Sequence, residues 1–428
     1  VIGIHEVLCY SDREAPEGVA LDLSCLIDEV SIVHGRSDTA NQPEPSSATL
    51  DVTVGPGAPL PPEVDIGAWL VISTTVGGVA YARFTGRVTD IAIGWDDAGT
   101  NTPENGVGQI VAVSVLADYA RRVVGAEPFP QELDGARVAR VLALAGLILD
   151  PLTSDPGTVD ITPRDIDARA ALEVAHDAAN SAGGLVWETR EGDIRYADTE
   201  HRRGTVVALD LDACDVLVSP TWSRNLSALV NEIRIGYGVA PEGGGEAPSV
   251  YAQNPVSVEK FGRYDYSVTT DLATFDGAWG TASLILAQNA VPVWQLNALP
   301  VSVADLTLAQ TQTLLGLDVH SLVRVTGLPV TGPTPTSVVA WVEGWAERLA
   351  FGAHDFEITV SDYCRTAPPP RWNDIEPPST TWDAWGPSTW DEMACVGAPL
   401  PNRGYWDDVP STIRWDTWGP GSWDEATL

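Results

Sequence analysis

The stretch FTGRVTDIAIG, residues 84–94, returns in altered form as VEGWAERLAFG, residues 342–352. Laid over each other, they match Gly86 with Gly344, Ala92 with Ala350 and Gly94 with Gly352. The likeness extends both ways. Upstream, DIGAWLVI (65–72) lies over DVHSLVRV (318–325), each an acidic turn leading into a strand; downstream, ADYAR (117–121) lies over SDYCR (361–365). The match needs a shorter loop in the second copy and a one-residue slip before the Asp-Tyr pair, as a β-bulge would give. Order and spacing agree, so the reading is an internal duplication of a β-rich unit.

The surroundings fit that reading. From Leu21 to Arg122 apolar and polar residues alternate, in LSCLIDEVSIVHG, SATLDVTV and the long run GAWLVISTTVGGVAYARFTGRVTDIAIGW, which is broken at a Gly77-Gly78 turn. Two helices follow. DGARVARVLALAGLILD opens at Asp134, a suitable N-cap, with Val138, Val141, Leu142 and Ala145 on one face. DIDARAALEVAHDAANSAGG sets Ala168, Leu172, Ala175 and Ala179 on a narrow stripe and stops at Gly183, where a C-cap glycine belongs. So many alanines imply close approach to a neighbouring sheet. LVWETREGDIRYAD is a hairpin with Leu185, Trp187, Ile194 and Tyr196 facing inward and Gly192 in its turn. Strands then dominate from Val216 to Thr366, with short helices at TASLILAQNA and DLTLAQTQTLL.

The expected fold is mainly β with an α+β insert: two tube-like β-barrel domains flanking a small α+β module. The divisions are residues 1–122 and 216–366 for the barrels, 123–215 for the module and 367–428 for a C-terminal arm. That arm begins with the proline-stiffened TAPPPRWNDIEPPS and carries WDAWGPSTWDE and, 33 residues later, WDTWGPGSWDE. Eight of the sixteen tryptophans fall there: Trp372, Trp382, Trp385, Trp390, Trp406, Trp415, Trp418 and Trp423. Each repeat is too short to bury its own rings, and Trp is a preferred interface anchor. An extended strap docking on another protein is the favoured use; stacking on cell-wall sugars and folding back as a clasp are the alternatives.

Composition narrows the function. The 428 residues are 44% hydrophobic and 19% charged, as in a folded protein. The net charge, 24 − 59 = −35, repels nucleic acid and anionic membranes, yet suits the wall of a channel through which a duplex passes without sticking. No apolar run reaches the length of a membrane span, and the start lacks the basic-then-apolar pattern of an export signal. The five cysteines (Cys9, Cys25, Cys214, Cys364, Cys395) are scattered, arguing against a disulfide framework or a zinc site. No HExxH, GxSxG, GxxxxGK or GxGxxG is present. His176 beside Asp177 reads as solvated or structural, Asp210, Asp212 and Asp215 as a solvated strand edge, and Glu191 and Asp193 as turn residues. No catalytic, metal-binding or cofactor-binding residue is assigned, and the chain reads as a non-enzyme.

On DEVSIVHGRSDTANQPEPSSATLDVTV, ARFTGRVTDIAIG with VAVSVLADYARR, DARAALEVAHDAANSAGGLVWETREGDIRYAD and VNEIRIGYG, the chain resembles the tail-hub proteins of tailed bacteriophages. These are also called baseplate-hub or minor tail proteins, and the nearest in character are those of phages infecting actinobacteria. The resemblance spans roughly residues 20–366. It implies a homotrimer whose six similar barrels adapt a hexameric tail tube to the tail tip, below a distal tail protein. It also implies a lumen crossed by the tape-measure protein and DNA, no membrane insertion, and a place in the virion after synthesis in the host cytoplasm. The strap then docks on other tail-tip proteins. A tail protein that binds host cell-wall carbohydrate is the alternative, and a cell-wall hydrolase a weaker one.

Overall fold

The computed structural model describes residues 4–10, 20–39, 41–55, 59–96, 105–147, 149–150, 152–203, 206–213, 220–239, 246–296, 298–329 and 334–363. The eight tryptophans of the C-terminal arm lie outside the described residues, as do Asp215, Cys214, Cys364 and Cys395.

Alternating hydrophobicity builds the first strands: β1 (Ile4–Tyr10), β2 (Ala20–Asp22), β3 (Ile27–Gly35), β4 (Ser47–Val54), β5 (Trp69–Val76), β6 (Val79–Asp96) and β7 (Asn105–Ser114). Along β4, Ala48, Leu50, Val52 and Val54 are buried while Asp51 and Thr53 face out. They share a core with Val30, Ile32, Leu70, Ile72, Phe84 and Ile110. The β5–β6 hairpin turns on Gly77 and Gly78, both at positive φ (62° and 81°), the backbone a tight two-residue hairpin turn demands.

After α1 (Leu116–Tyr119) come two short strand pairs, β8 (Val123–Val124) with β11 (Arg169–Ala170) and β9 (Glu132–Leu133) with β10 (Asp160–Ile161). They frame α2 (Asp134–Leu144) and α3 (Ala171–Ala182). The helix α2 begins at Asp134, but that side chain does not cap it. Its Oδ1 instead accepts the Thr158 and Val159 amides at 2.8 Å each, and Oδ2 accepts the Tyr196 hydroxyl. Gly183 ends α3 at φ 73°, as its sequence suggested. Ala168 lies ahead of the helix and is exposed, so the buried stripe is Leu172, Ala175 and Ala179 with Ala171 and Ala178, packed mainly on α2.

The hairpin β12 (Leu185–Glu188) and β13 (Ile194–Ala197) differs from expectation in its register. Val186 pairs with Tyr196 and Glu188 with Ile194, so Ile194 and Tyr196 lie on the face opposite Leu185 and Trp187. Val186, Ile194 and Tyr196 enter the core of the α+β module, while Leu185 and Trp187 enter that of the second β half. The hairpin is thus buried on both sides.

The remaining elements are β14 (Val207–Asp212), β15 (Trp222–Ser223), β16 (Glu232–Gly236), β17 (Ser249–Gln253), α4 (Pro255–Phe261), β18 (Asp265–Thr269), α5 (Phe275–Asn289), β19 (Gln295–Leu296), β20 (Ala298–Ser302), α6 (Leu308–Gly316), β21 (Leu322–Thr326), β22 (Val338–Ala350) and β23 (Ala353–Asp362). Strands β16–β18 and α5 form a small unit with its own core of Ile233, Ile235, Val250, Ala278 and Ala282. The helix α6 opens on a capping box, Thr307 with Gln310.

Both β-rich halves belong to one sheet. Its order is β14–β21–β22–β3–β4–β7–β6–β5–β1–β2, and β22 carries β23 on its other edge, with β20 beyond. This corrects the expectation of two separate barrels: among the described residues neither half closes on itself, because β3 spends its outer edge on β22 rather than on a strand of its own half. The antiparallel order β5–β6–β7–β4 in the first half is matched by β21–β22–β23–β20 in the second.

Candidate functional site

The two β halves and the α+β module converge on β22, which is buried on both faces over most of its length. The approach is close where β3 joins it. Gly344 pairs with Gly35, and a Cβ on Gly344 would stand 2.4 Å from the His34 carbonyl oxygen. One on Gly35, at φ 78°, would stand 2.5 Å from the Glu343 carbonyl oxygen. Only glycine fits both positions. Just before Gly344 the register with β23 skips a residue, and Glu343 occupies the bulge.

Two buried carboxylates on β22 hold the surrounding modules. Glu343 accepts Arg36 Nε at 2.8 Å from the first half, Arg202 Nη2 at 2.8 Å from the segment after the hairpin, and the Ser361 hydroxyl from β23. Burial alone would raise its pKa, but Arg202 and Arg36 overcome that and hold the carboxyl well below the usual range. Glu347 takes Arg83 in a two-pronged pair, Nε at 2.7 Å and Nη2 at 2.6 Å, and meets His354 Nε2 at 2.8 Å. Both side chains of the Arg83–Glu347 pair are fully buried, and against the burial cost Arg83 brings the carboxyl down to about 2.

A second guanidinium arrives from the turn of the β12–β13 hairpin. Arg190 lies 4.1 Å over the Trp345 ring, and His34 stacks on the same indole with centroids 4.3 Å apart. Arg83 and Arg190 both donate to the Leu315 carbonyl near the end of α6, at 2.7 and 2.8 Å, where the helix dipole favours positive charge. Next to them Glu188 accepts the Ser46 amide at 2.7 Å, and burial pushes its carboxyl pKa up. Gln42, from the same β3–β4 loop, donates to Gly184 O and accepts from the Val186 amide.

Five of the six histidines stand around this junction. His5 meets Thr74 Oγ1 at 3.0 Å and lies 5.2 Å from His354; His34 meets Ser46 Oγ at 2.7 Å. His320 adopts a left-handed backbone (φ 68°) and packs among Trp187, His201 and Trp341. Burial, aided by neighbouring cations, lowers His34 to about 3 and holds His320 well below 6.5. Burial, with His354 close by, lowers His5 to about 4. These rings are therefore neutral at pH 7.

The arrangement is a joint, in which buried ion pairs on β22 tie the two β halves and the segment after the β12–β13 hairpin together. The singled-out acidic residues take no part in its hydrogen bonds, although Glu191 follows Arg190 in the same turn and acts on its charge. Glu191 and Asp193 sit in the β12–β13 turn, and Asp210 on β14 pairs with Arg324. His176 lies half-buried on α3, and Asp177 pairs with Arg169 at 2.7 Å. No three metal-ligating side chains gather among the described residues. No helix among them is long and apolar enough to cross a membrane. Sequence reading missed the joint itself. A signal was present: in AWVEGWAERLA, Trp341, Glu343, Trp345 and Glu347 alternate at every second position, so a regular strand would seat both carboxylates among aromatic rings.

No protein-family model matches the chain, and no curated protein matches it. Solved structures do. The chain is similar to the 43 kDa tail protein of prophage MuSo2 from Shewanella oneidensis, with a TM-score of 0.58 and 13% identity, covering 84% of this chain and 99% of that one. It is similar to the tail protein from Neisseria meningitidis MC58, with a TM-score of 0.57 and 10% identity, covering 85% and 98%. It is also similar to prophage tail protein gp18 from Listeria monocytogenes EGD-e, with a TM-score of 0.50 and 10% identity, covering 83% and 95%. The chain therefore has the fold of these tail proteins over nearly their whole length.

Proposed function

We propose that the protein is a structural component of a bacteriophage tail, acting as a trimeric hub between the hexameric tail tube and the tip. The observation that carries this reading is the fold shared with three tail proteins across almost all of each. The repeated strand order supports an internal duplication, which would let three chains present six similar units to a sixfold tube. The buried ion-pair joint supports a structural role, since it fixes the two halves relative to each other. In this reading the distal tail protein and tube lie on one side, the tape-measure protein and DNA pass through the lumen, and the Trp-rich arm docks on other tip subunits.

Native mass measured on the full chain and on a form ending at Thr366, alone and with neighbouring tail proteins, tests the proposal. A trimer in both forms, with partner binding lost only in the short one, is the expected result. A chain that stays monomeric even beside its neighbours would overturn the hub reading.

A further inference from the structure

The turn that leads into β21 repeats the turn that leads into β5, bond for bond. In the first half the Gly67 amide donates to Val88 O at 2.8 Å, the Ala68 amide to Asp65 O at 3.1 Å and the Val88 amide to Ala68 O at 2.9 Å. In the second half the His320 amide donates to Val342 O at 2.8 Å, the Ser321 amide to Asp318 O at 3.0 Å and the Val342 amide to Ser321 O at 2.9 Å. The matching residues are both left-handed, Gly67 at φ 87° and His320 at φ 68°. Glycine takes that backbone freely; a residue with a Cβ is strained by it. His320 is the one non-glycine residue at positive φ among the described residues, and strain of this kind gathers where a side chain has a task.

What this side chain gains is not a hydrogen bond. His320 is only 8% exposed, and neither of its ring nitrogens has a partner among the described residues. A buried polar group in that condition calls for water or an ion. Its ring centre lies 5.3 Å from that of His201, in the 3₁₀ turn Thr199–Arg203. His201 meets Asp155 Oδ2 through Nδ1 at 2.9 Å, and its side chain is 39% exposed. A carboxylate on one ring nitrogen, leaving the other as an acceptor, is how metal-ligating histidines are held. Asp198 stands beside it, with Oδ1 accepting the His201 amide. Neither Asp155 nor Asp198 pairs with an arginine or lysine among the described residues, and burial with the Asp155 charge pushes the Asp198 carboxyl up. A cation placed here relieves that repulsion. Arg202 and Arg36 also act on His320, and Glu343 accepts from both.

We propose that His201 and His320 bind one divalent transition-metal ion, with Asp155 orienting His201 and water completing the coordination. Two imidazoles that each hold an ion at about 2.0–2.1 Å have ring centres roughly 5 Å apart, which the 5.3 Å spacing matches. Imidazole favours zinc, copper, nickel or iron over calcium and magnesium. With two protein ligands, rather than the four of a closed structural site, the ion exchanges with solvent. It ties the turn before β21 to the segment after the β12–β13 hairpin, next to the Arg202–Glu343 pair. The proposal stands apart from the hub reading.

The test is calorimetric titration of the untagged full chain with zinc and with copper(II) ions, in excess magnesium to occupy surface carboxylates, with melting followed in parallel. One ion per chain and a raised melting point are expected. His201→Asn changes a side chain open to solvent, so it should keep the metal-free melting point while weakening binding about tenfold or more. His320→Gly installs the residue that Gly67 shows this turn accepts, and should weaken binding as much. His176→Asn, on α3, should bind as the parent does. Binding at one equivalent that survives either His201→Asn or His320→Gly overturns the inference, and so does the absence of binding at millimolar zinc.

Discussion

Replacing Arg83 by Met probes the joint most directly. Methionine keeps much of the side-chain bulk, so the change removes charge more than packing. Glu347 would then be stranded with no exposed surface, having lost both guanidinium bonds and keeping only His354. Removing one partner of a buried pair costs about 3–5 kcal/mol, because the other charge stays in a poorly polarisable interior. The Leu315 carbonyl keeps Arg190 and adds little to the loss. The expected result is a drop of that size in urea stability at pH 7, followed by near-ultraviolet dichroism. The deficit should shrink as acid neutralises the stranded carboxyl. A double change, Arg83→Met with Glu347→Leu, should recover about 2 kcal/mol of it, the abandoned His354 nitrogen accounting for the remainder. Arg348→Ala, which breaks the exposed pair with Glu29, serves as the control and should match the parent. If Arg83→Met costs less than about 1 kcal/mol, or the double change is no better than the single, the joint is not held by this pair.

Further expectations follow from the same geometry. His5, His34 and His320 have folded pKa values below the unfolded 6.5, so the unfolded chain binds more protons as pH falls. Their contribution is complete above about pH 6.5 and is lost toward about pH 3–4, while Glu188, shifted upward, opposes it. The urea midpoint should fall between pH 7 and pH 4, less steeply in His34→Asn; a flat profile would refute this. Gly344→Ala drives a Cβ into the His34 carbonyl and should cost about 1–3 kcal/mol, with faster proteolysis between β3 and β4. Gln42→Ala leaves the Val186 amide and Gly184 carbonyl unpaired, for a loss of about 1–3 kcal/mol; unchanged exchange at the Val186 amide would count against it.

What was legible in the sequence was what repeats with a short period. The alternation in SATLDVTV, the Gly77-Gly78 turn and the Gly183 stop each express local backbone chemistry, and each stands where expected. Where the reading failed, the deciding partner was distant. Asp134 has the right type and place for a cap, yet the loop at Thr158 and Val159 and the Tyr196 hydroxyl take its oxygens. The β12–β13 hairpin shows one apolar pattern, but its register splits those residues between two cores. Arg83 lies in an ordinary strand, YARFT, and nothing local reveals a carboxylate 264 residues away.

That separation sets a timetable for the newborn chain. Arg36 precedes its partner Glu343 by 307 residues, an interval of roughly 15–60 s at synthesis rates of about 5–20 residues per second. Through that time β3 waits at the ribosome surface with its outer ladder unmade, because β22 is among the last strands to emerge. The first half thus spends its youth as a sticky, half-finished sheet beside others of its kind on the same message. Slowing translation late in the coding sequence should raise the share lost to aggregates, and a chaperone that shields β3 should restore it.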